Sequence, residues 1–477
     1  MNTAPDLTLV IDIGKSHAKL LFIDAAGEVV ERHGRSNRSV VSPLGYAALD
    51  IAGLTQWMRE TLIGSSATRR CARIIPCTHG AAFVALGEDG LAWEPLDYEF
   101  AGVGEARAAY QAERDDFAAT LAPDLPDGLN AARQLHWVQQ RHPQAWARTR
   151  CLLPYPQYWA WWLSGVAASE VSSLGCHTQL WRPAERRYSD LAIQRGWADL
   201  FAPMQSAWQV LGRVRAALAH ELGLPASCEV HVGVHDSNAC LARYLGNEGA
   251  GMTLVSTGTW VVVMAPGAST QALAPAHDML ANVSVRNEVV PTARFMGGRE
   301  LEAICAGAAP ELASMAALVE LIDRDVQAWP SFVQQGGPFI GRAGRVTERG
   351  ALVDATGALT PPQRASLGAL YCAQVTALLL QRLGGPDAVV LEGPFATNPV
   401  YVQCLAALRP EQAVHVSADP VEGTARGSWL LGRWSAASPM AARLQRIEAA
   451  PGGAALLAHH QRWLAGITSD APANLTD

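Results

Sequence analysis

The chain has 477 residues, which is more than one hydrophobic core usually supports, so two domains are expected. Hydrophobic residues make up 49% of it and charged residues 17%, with a mean hydropathy of +0.07, and this balance excludes a disordered chain. A net charge of -7 and a pI near 6.0 exclude the basic field that gathers nucleic acid or an acidic membrane surface. Small-molecule chemistry is the class of function that remains.

The N-terminal and cysteine patterns predict a cytoplasmic protein. The opening MNTAPDLTLV lacks the cationic stretch and apolar core of a secretory signal, and no apolar run approaches the ~18 residues of a spanning helix. The nine cysteines are scattered singly without a CxxC pair. They are expected to be reduced, packed thiols, with neither a disulfide frame nor a zinc site.

The first predicted elements lie between Leu7 and Asp24, where LTLVIDIGKSHAKLLFID indicates a strand, a tight turn and a second strand. Gly14, Lys15 and Ser16 occupy this turn, and the following AAGEVV predicts another turn and a third strand. Because the chain opens with a hairpin and no GxGxxG follows, a dinucleotide-binding fold is not expected.

Lysine is almost absent from the chain, and its positions are informative. Only Lys15 and Lys19 are lysines among 37 basic residues, and they lie four positions apart. A compact ammonium on a flexible stem does not interchange with a planar guanidinium, so a site that needs lysine would retain these two. Chance retention in an arginine-biased chain is the alternative.

Three segments before residue 170 have clear patterns. Residues 46–63 are expected to be helical, residues 72–86 to form a strand that breaks into a loop and resumes, and residues 129–163 to form a tryptophan-rich helical stretch. The tryptophans at positions 159, 161 and 162 are interpreted as core residues rather than a stacking platform, because leucines and a helical context flank them.

A lone carboxylate in GVHDSNACL, residues 233–241, has two interpretations. Asp236 is a helix N-cap in the first, since Asp, Ser and Asn satisfy the free amide donors at a helix start. It is a catalytic base held at a strand-to-helix turn in the second, because rigid elements on both sides would fix its direction. The two roles are compatible.

The second half of the chain repeats the strand-turn-strand pattern of the first half. Strands are predicted at 229–234 and 253–264, and TLVSTGTWVVVM again places a small polar turn between apolar strands. DAVVLEGPFATNPVYVQCLAAL predicts a strand, a glycine turn and a helix that begins at Asn398 and Pro399. Residues 421–432 predict a turn and a closing helix with small residues on one face, and the last forty residues a peripheral helix and frayed tail.

Together these segments resemble the FGGY carbohydrate kinases over roughly residues 7 to 435. The motifs occur in the family's order, and they are DIGKSHAK, THG, LDYE, SEVSSLGCHT, GVHDSNA, STGTW, EGPFATN and EGTARG. FMGGRE at 295–300 and the HDSN sequence are closer to the rhamnulokinase and fuculokinase branches than to the xylulokinase or glycerol kinase forms.

The resemblance implies an α/β fold with a duplicated ribonuclease-H-like core, as in the actin, hexokinase and Hsp70 superfamily, and two lobes flanking a central cleft. An N-terminal lobe of residues 1–248 would hold the sugar, the first phosphate loop and the base. A C-terminal lobe of residues 249–435 would hold ATP, and residues 436–477 would form a helical extension.

The resemblance also assigns the phosphoryl-transfer roles. Asp236 would be the general base and, with Asp12, a ligand of Mg²⁺, and Asp12 would act through water because Mg²⁺ keeps much of its hydration shell. The remaining ATP-binding residues implied are Gly14, Lys15, Ser16, Lys19, Ser256, Thr257, Gly258, Thr259, Gly393 and Asn398.

The sugar is assigned to a second group of residues, namely His79, Gly80, Asp97, Tyr98, Glu99 and His235. Which of Asp97 and Glu99 contacts it stays open, and a buried structural histidine is the alternative for His79. The implied reaction is ATP-dependent phosphorylation of a ketose or deoxy-ketose such as L-fuculose or L-rhamnulose. The partners are a small sugar and ATP, without nucleic acid or membrane, and a homodimer is left open.

Several other functions remain to be weighed. One alternative is a kinase whose acceptor is another polyol or pentulose, such as glycerol, xylulose or ribulose. An alternative from a different class of function is a non-catalytic nucleotide-binding scaffold or sensor. A metal-dependent phosphohydrolase would need more histidine ligands, and His220 and His231 have no ligand spacing. A Hsp70-like ATPase would need a peptide-binding extension.

Overall fold

The structure is a computed structural model that describes residues 6–245, 251–334, 336–418, 422–434, 443–450 and 452–469. It divides into two compact units. The first unit comprises residues 1–247, 281–290 and 423–441, and the second comprises residues 248–280, 291–422 and 442–477. The predicted boundary at 248/249 lies outside the described residues. Residues 423–434 differ from the prediction, because they pack in the first unit and not in the second.

The strands and helices up to residue 245 all belong to the first unit. The strands are β1 (Leu7–Ile13), β2 (His17–Ile23), β3 (Val29–Ser36), β4 (Ser39–Val41), β5 (Ala47–Leu49), β6 (Cys71–Thr78), β7 (Phe83–Leu86), β8 (Leu91–Trp93), β9 (Cys151–Pro154), β10 (Trp181–Arg182), β11 (Arg187–Tyr188), β12 (Val210–Arg213), β13 (Glu229–His231) and β14 (Val234–His235). The helices are α1 (Ile51–Gly64), α2 (Arg107–Glu113), α3 (Phe117–Thr120), α4 (Ala131–Arg141), α5 (Pro143–Trp146), α6 (Tyr155–Ser164), α7 (Val171–Leu174), α8 (Asp190–Gln194), α9 (Ala216–Leu222) and α10 (Asp236–Ala242).

The elements after residue 251 continue the same numbering. The strands are β15 (Thr253–Thr257), β16 (Val261–Met264), β17 (Met279–Val283), β18 (Val289–Phe295), β19 (Val326–Trp329), β20 (Arg345–Glu348), β21 (Ala351–Leu352), β22 (Ala388–Glu392), β23 (Ala413–Ser417) and β24 (Leu444–Arg446). The helices are α11 (Gly297–Cys305), α12 (Met315–Asp323), α13 (Ala355–Ala358), α14 (Pro361–Leu383), α15 (Pro399–Leu408), α16 (Gly423–Leu431) and α17 (Gly453–Ser469).

The main sheet of the first unit has the order β12-β13-β6-β1-β2-β3, with β14 paired to β6. The strands β1, β2 and β3 form the predicted antiparallel hairpins, and β6 and β13 join in parallel. Alternation along β1 sends successive side chains to opposite faces. Leu9 and Ile11 pack in a core with α1, α6 and α9, whereas Val10 packs with α16 residues Ala425 and Trp429.

The second large sheet repeats this pairing. In the strand order β18-β16-β15-β22-β23, the first two neighbouring pairs are antiparallel and the last two are parallel. The order β3-β2-β1-β6-β13 in the first sheet has the same pairing. The strands β17 and β24 extend its two edges. Two sheets with one pairing scheme are what a duplicated core predicts, so the ribonuclease-H-like duplication is confirmed.

Local signals explain the long helix α14 in the second unit. Thr360 and Gln363 form a capping box with Pro361 in the first turn, and Gly384 ends the helix in the left-handed conformation. Almost every side chain from position 365 to 380 is buried, so the helix forms the middle of the second unit's core.

The C-terminal helix α17 differs from the prediction of a peripheral element. Trp463 is fully buried, and its indole Nε1 donates to the carbonyl of Ala328 at 2.9 Å. His459 contacts the carbonyl of Val326 at 2.9 Å, so the helix packs along β19. The predicted tail at 470–477 lies outside the described residues.

Other sequence expectations are met with shifted boundaries. The helix predicted at 46–63 begins at Ile51, because residues 47–49 form β5, and the stretch 129–163 contains β9 between helices. Trp159 and Trp162 are buried core residues with Trp161 packed against them, as predicted. All nine cysteines are reduced thiols outside any disulfide bond, and eight of them are buried. Across the part of the chain that the structure describes, no helix meets the length and hydropathy of a membrane span.

Candidate active site

Three parallel strands of the first sheet end side by side. The register aligns Asp12 with Cys77 and Val234, and it aligns Ile13 with Thr78 and His235 one residue later. The next residues along each strand are Gly14, His79 and Asp236. Because ligands of open α/β sheets bind beyond the carboxyl ends of parallel strands, this edge is the candidate site of the first unit.

Asp236 opens helix α10 directly after β14. His235 occupies the N-cap position without a side-chain cap bond, so the N-cap interpretation of Asp236 needs correction by one position. The Asp236 carboxylate accepts instead from the backbone amide of Ser237 at 2.6 Å. A side-chain exposure of 29% leaves the carboxylate accessible while the strand and helix fix its direction.

His235 is held on both sides of its ring. Its Nε2 lies 3.2 Å from a carboxylate oxygen of Asp236, and its Nδ1 lies 3.0 Å from the amide nitrogen of Asn238. With the Asn238 amide donating to Nδ1, the ring proton sits on Nε2, whose hydrogen-bond partner is the Cys176 sulfur at 3.3 Å. Burial lowers the pKa of His235 more than the Asp236 charge raises it, so the imidazole is neutral at pH 7. The prediction had not included Asn238.

The turn that carries Asp236 is anchored from behind by α7. The backbone amide of His235 donates to the Ser172 hydroxyl at 3.4 Å, and that hydroxyl donates to Glu170 at 2.5 Å. Burial raises the pKa of Glu170 to about 7, although the Ser172 and Ser173 bonds lower it. In the sequence, this segment was noted only as the SEVSSLGCHT motif of the family. Neither Glu170 nor Ser172 was predicted to have a role.

His79 and Gly80 follow β6 at the same edge. The His79 backbone amide donates to the carbonyl of Ile13 at 2.8 Å, and its Nδ1 donates to the carbonyl of Gly80 at 2.8 Å. Burial lowers the pKa of His79, with smaller contributions from Asp236, Lys15 and Asp97. The ring is therefore neutral, with Nε2 as a hydrogen-bond acceptor, and these charged groups surround it.

Lys15 differs most from its predicted role. Its ammonium forms hydrogen bonds with both carboxylate oxygens of Asp97 and lies 3.3 Å from Glu99, instead of projecting from the hairpin as a free phosphate ligand. The ammonium also lies 5.1 Å from the centre of the Tyr98 ring. The sheet brings the turn after β1 to the LDYE segment, and an acidic neighbour in low dielectric outcompetes water for the cation.

Lys19 takes the position nearest Asp12. The two residues are direct partners in the antiparallel register of β1 and β2, so their side chains share one face of the sheet. The turn between these strands is fixed by Asn37, whose amide donates to the carbonyl of Gly14 at 2.8 Å. Ser16 at its tip is exposed. Lys19, which the resemblance assigns to ATP, thus lies beside Asp12, the predicted Mg²⁺ ligand.

The second predicted phosphate loop joins β15 to β16 in the second unit. The Thr257 hydroxyl donates to the carbonyl of Glu392 at 2.7 Å and accepts from the amide of Phe395 at 3.0 Å. This hydroxyl is engaged within the fold, so Ser256, Gly258 and Thr259 are the residues of the loop with exposed or half-buried surface.

The strand-to-helix turn after β22 explains two further predicted residues. Gly393 has φ of +90°, and a Cβ there would lie 1.9 Å from the carbonyl oxygen of Thr257, so only glycine fits. Asn398 caps α15, because its side-chain oxygen accepts from the amides of Val400 and Tyr401 at 3.0 and 3.3 Å. The predicted helix start is confirmed, and the Asn398 amide nitrogen is the group left for a ligand.

No cluster of three or more His, Cys, Asp or Glu with metal-binding geometry occurs among the described residues. Mg²⁺ in phosphoryl-transfer sites does not require such a cluster, since it takes one or two carboxylates and completes its shell with water and phosphate. Burial raises the pKa of the Cys77 thiol, and the charges of Asp12 and Asp236 raise it further, so both carboxylates act on this end of β6.

Comparisons with known proteins agree with this fold. Residues 125–242 match the N-terminal domain of the FGGY family of carbohydrate kinases, and residues 249–441 match a C-terminal domain of carbohydrate kinase FGGY. The crystal structure of a carbohydrate kinase from Novosphingobium aromaticivorans is 34% identical, with a TM-score of 0.84 over 98% of this chain and 100% of that chain. The chain belongs to the FGGY family of carbohydrate kinases.

Two named relatives are more distant. A xylulose kinase from Staphylococcus epidermidis is 26% identical over 274 residues, 54% of this chain and 53% of that protein. An L-fuculokinase from Salmonella typhi is 24% identical over 281 residues, 54% of this chain and 56% of that protein. The chain therefore spans about half the length of these curated relatives. The family prediction is confirmed, while the acceptor is not fixed by these names.

Proposed function

We propose that this chain transfers the γ-phosphoryl group of ATP to a hydroxyl of a ketose or deoxy-ketose. The observation that carries the proposal is Asp236, a carboxylate with 29% of its side chain exposed, fixed at the first turn of α10 near two neutral histidines. An accessible, oriented carboxylate is the group that an attacking hydroxyl requires.

In the proposed reaction, the acceptor oxygen forms a bond to the γ-phosphorus as the bond between that phosphorus and the ADP oxygen breaks. Asp236 accepts the proton of the attacking hydroxyl, and a general base of this kind is commonly worth ~10²–10⁴ in rate. Nε2 of His235 lies 3.2 Å from the Asp236 carboxylate and 3.3 Å from the Cys176 sulfur, so the neutral ring packs directly beside the proposed base. The neutral His79 accepts a hydrogen bond from the sugar through Nε2.

The phosphate groups are assigned to the two hairpin turns. Gly14 and Ser16 lie at the first turn and Lys19 follows on β2, whereas Ser256, Gly258 and Thr259 lie at the second turn; Gly393 and Asn398 are assigned to the nucleoside. Mg²⁺, held by Asp12 and Asp236 with water and phosphate oxygens, would supply charge neutralisation at the transferred group.

The acceptor is proposed to be a ketose because the relatives above are named for xylulose and L-fuculose. L-Fuculose and L-rhamnulose are the first candidates, since the HDSN and FMGGRE segments resemble those branches. Glycerol, xylulose and ribulose are the alternatives, and a non-catalytic nucleotide sensor is the competing class.

The test is ADP release with each of these sugars, comparing the wild type with Asp236→Asn. We expect one ketose to stimulate ADP release, and the Asp236→Asn variant to lower kcat by roughly 10²–10⁴ without changing the melting temperature by more than a few degrees. ATP binding without stimulation by any acceptor would favour the sensor and overturn the proposal.

A further inference from the structure

The Asp97 carboxylate has no hydrogen-bonding capacity left. One oxygen accepts from the Lys15 ammonium and from the Glu99 backbone amide at 2.9 Å, and the other accepts from Lys15 and from the Ser39 hydroxyl. Two acceptor positions per carboxylate oxygen are thereby filled. With only 3% of its side chain exposed, Asp97 cannot accept a sugar hydroxyl without losing one of these partners.

Lys15 and Glu99 have the capacity that Asp97 lacks. The ammonium has three donors, two of which are directed to Asp97, and its third faces Glu99 at the longer distance of 3.3 Å. The Glu99 side chain is 67% exposed and that of Lys15 is 21% exposed. A ligand can therefore take the third donor of Lys15 and the acceptors of Glu99 together.

The pair lies at the same edge as the base. Lys15 stands 5.1 Å from the Tyr98 ring centre, and that ring meets the His79 ring edge to face at 5.4 Å. His79 itself follows β6 at the end of the sheet where Asp236 follows β14, since the two strands pair in register at Thr78 and His235.

We propose that Lys15 and Glu99 recognise two adjacent hydroxyls of the acceptor, and that Asp97 is a positioning residue that aims the Lys15 ammonium. Lys15 donates to one hydroxyl oxygen and Glu99 accepts from its neighbour. Two carboxylates against one ammonium leave the cluster negative, so the acceptor class is an uncharged vicinal diol, and aldonates and sugar phosphates are disfavoured. This inference rests on the proposed function and names the substrate class of that site.

The first test is steady-state kinetics of Lys15→Met, with the more active of D-xylulose and L-fuculose as acceptor. We expect the acceptor KM to rise roughly 10- to 100-fold, the loss of a hydrogen bond to a charged group, with the ATP KM within threefold of wild type. Lys19→Met is the matched lysine control, and its effect is expected on the ATP KM while the acceptor KM stays within threefold.

The second test separates Asp97 from Glu99. Glu99→Gln is expected to raise the acceptor KM tenfold or more at an unchanged melting temperature, because the side chain is exposed. Asp97→Asn is expected to act only through Lys15, so adding it to Lys15→Met changes the acceptor KM by less than twofold. Additive effects of the two substitutions would assign Asp97 to the sugar and overturn the inference.

The third test concerns charge. With the wild type, D-gluconate is expected to give at least 100-fold lower kcat/KM than the ketose, and Glu99→Gln to narrow that ratio. If Lys15→Met had a normal acceptor KM and a raised ATP KM, Lys15 would be a phosphate-binding residue. That result would overturn this inference and leave the proposed function standing. Absence of ADP release with every acceptor in the wild type would overturn the proposed function and this inference with it.

Discussion

Single residues at the carboxyl edge of the first sheet are constrained by space as much as by chemistry. A Cβ on Gly80 would lie 2.9 Å from the Cys176 sulfur and 3.0 Å from Nε2 of His235, both of which are buried side chains. The position of the His235 ring beside Asp236 therefore depends on a neighbour without a side chain.

The Gly80→Ala substitution is expected to displace His235 from Asp236, lowering kcat roughly tenfold and the unfolding free energy by ~1–3 kcal/mol, as overpacking does. Activity and urea denaturation measure the two effects. Gly64→Ala is the control, because a Cβ there meets nothing within 4 Å, and it should leave both unchanged. An active Gly80→Ala with a wild-type kcat would contradict the constraint.

Glu170 is a single residue expected to make the stability of the protein depend on pH. Its side chain is fully buried, one carboxylate oxygen has no hydrogen-bond partner, and burial raises its pKa to about 7 from 4.5. Since the folded group holds its proton more tightly than the unfolded one, its contribution to stability is complete below about pH 4.5 and is lost as pH rises through about 7.

Glu170→Gln removes this dependence because the amide stays neutral. Between pH 5 and pH 8 the unfolding free energy of the variant is expected to gain ~2–3 kcal/mol relative to wild type. Urea midpoints at the two pH values measure the difference. The exposed Glu105→Gln is the control and should show no such trend, and parallel pH curves for wild type and Glu170→Gln would refute the prediction.

At the scale of elements, two helices of the first unit cross at a glycine. A Cβ on Gly427 of α16 would lie 1.7 Å from the carbonyl oxygen of Ala239 in α10, and backbone cannot yield as a side chain can. Because α10 begins at Asp236, this crossing supports the helix that presents the proposed base.

Gly427→Ala is expected to lower the unfolding free energy of the first unit by ~3 kcal/mol or more and to reduce kcat, because α10 must shift. Thermal melts and ADP release measure the two effects. Gly453→Ala at the start of α17, where a Cβ meets nothing within 4 Å, should be neutral. Full stability and activity of Gly427→Ala would mean that the crossing tolerates a methyl group.

At the scale of the molecule, each unit has its own sheet and core. The fully buried Trp463 joins α17 to β19 of the second unit, with its ring edge to face with Phe339 at 6.1 Å between centres. Domains with separate cores do not unfold as one two-state system.

Trp463→Ala is therefore expected to lower one calorimetric transition by the equivalent of ~3–5 kcal/mol and to leave the other unchanged. Differential scanning calorimetry resolves the two transitions, and the exposed Gln461→Ala on the same helix is the control. Equal shifts of both transitions, or a single transition, would show that the two units unfold together.

Much of the fold and part of the site could be predicted because their causes are local. Alternating apolar residues and a short polar turn predicted the hairpin of β1 and β2, and Asn398 with Pro399 predicted the start of α15. The strand-to-helix context of Asp236 left an N-cap and a base as alternatives, and the resemblance to the family favoured the base. The motif order predicted the family, since spacing along the chain reflects the order of elements in the fold.

Only the tertiary structure decided which groups meet. Lys15 and Asp97 lie 82 positions apart, and the sequence does not show which carboxylate will pair with the Lys15 ammonium. The small face of α16 was predicted, yet its packing against the first sheet, and the burial of α17, depend on contacts between distant segments. Local propensities act over a few residues, whereas side-chain partners and burial depend on how the whole chain packs.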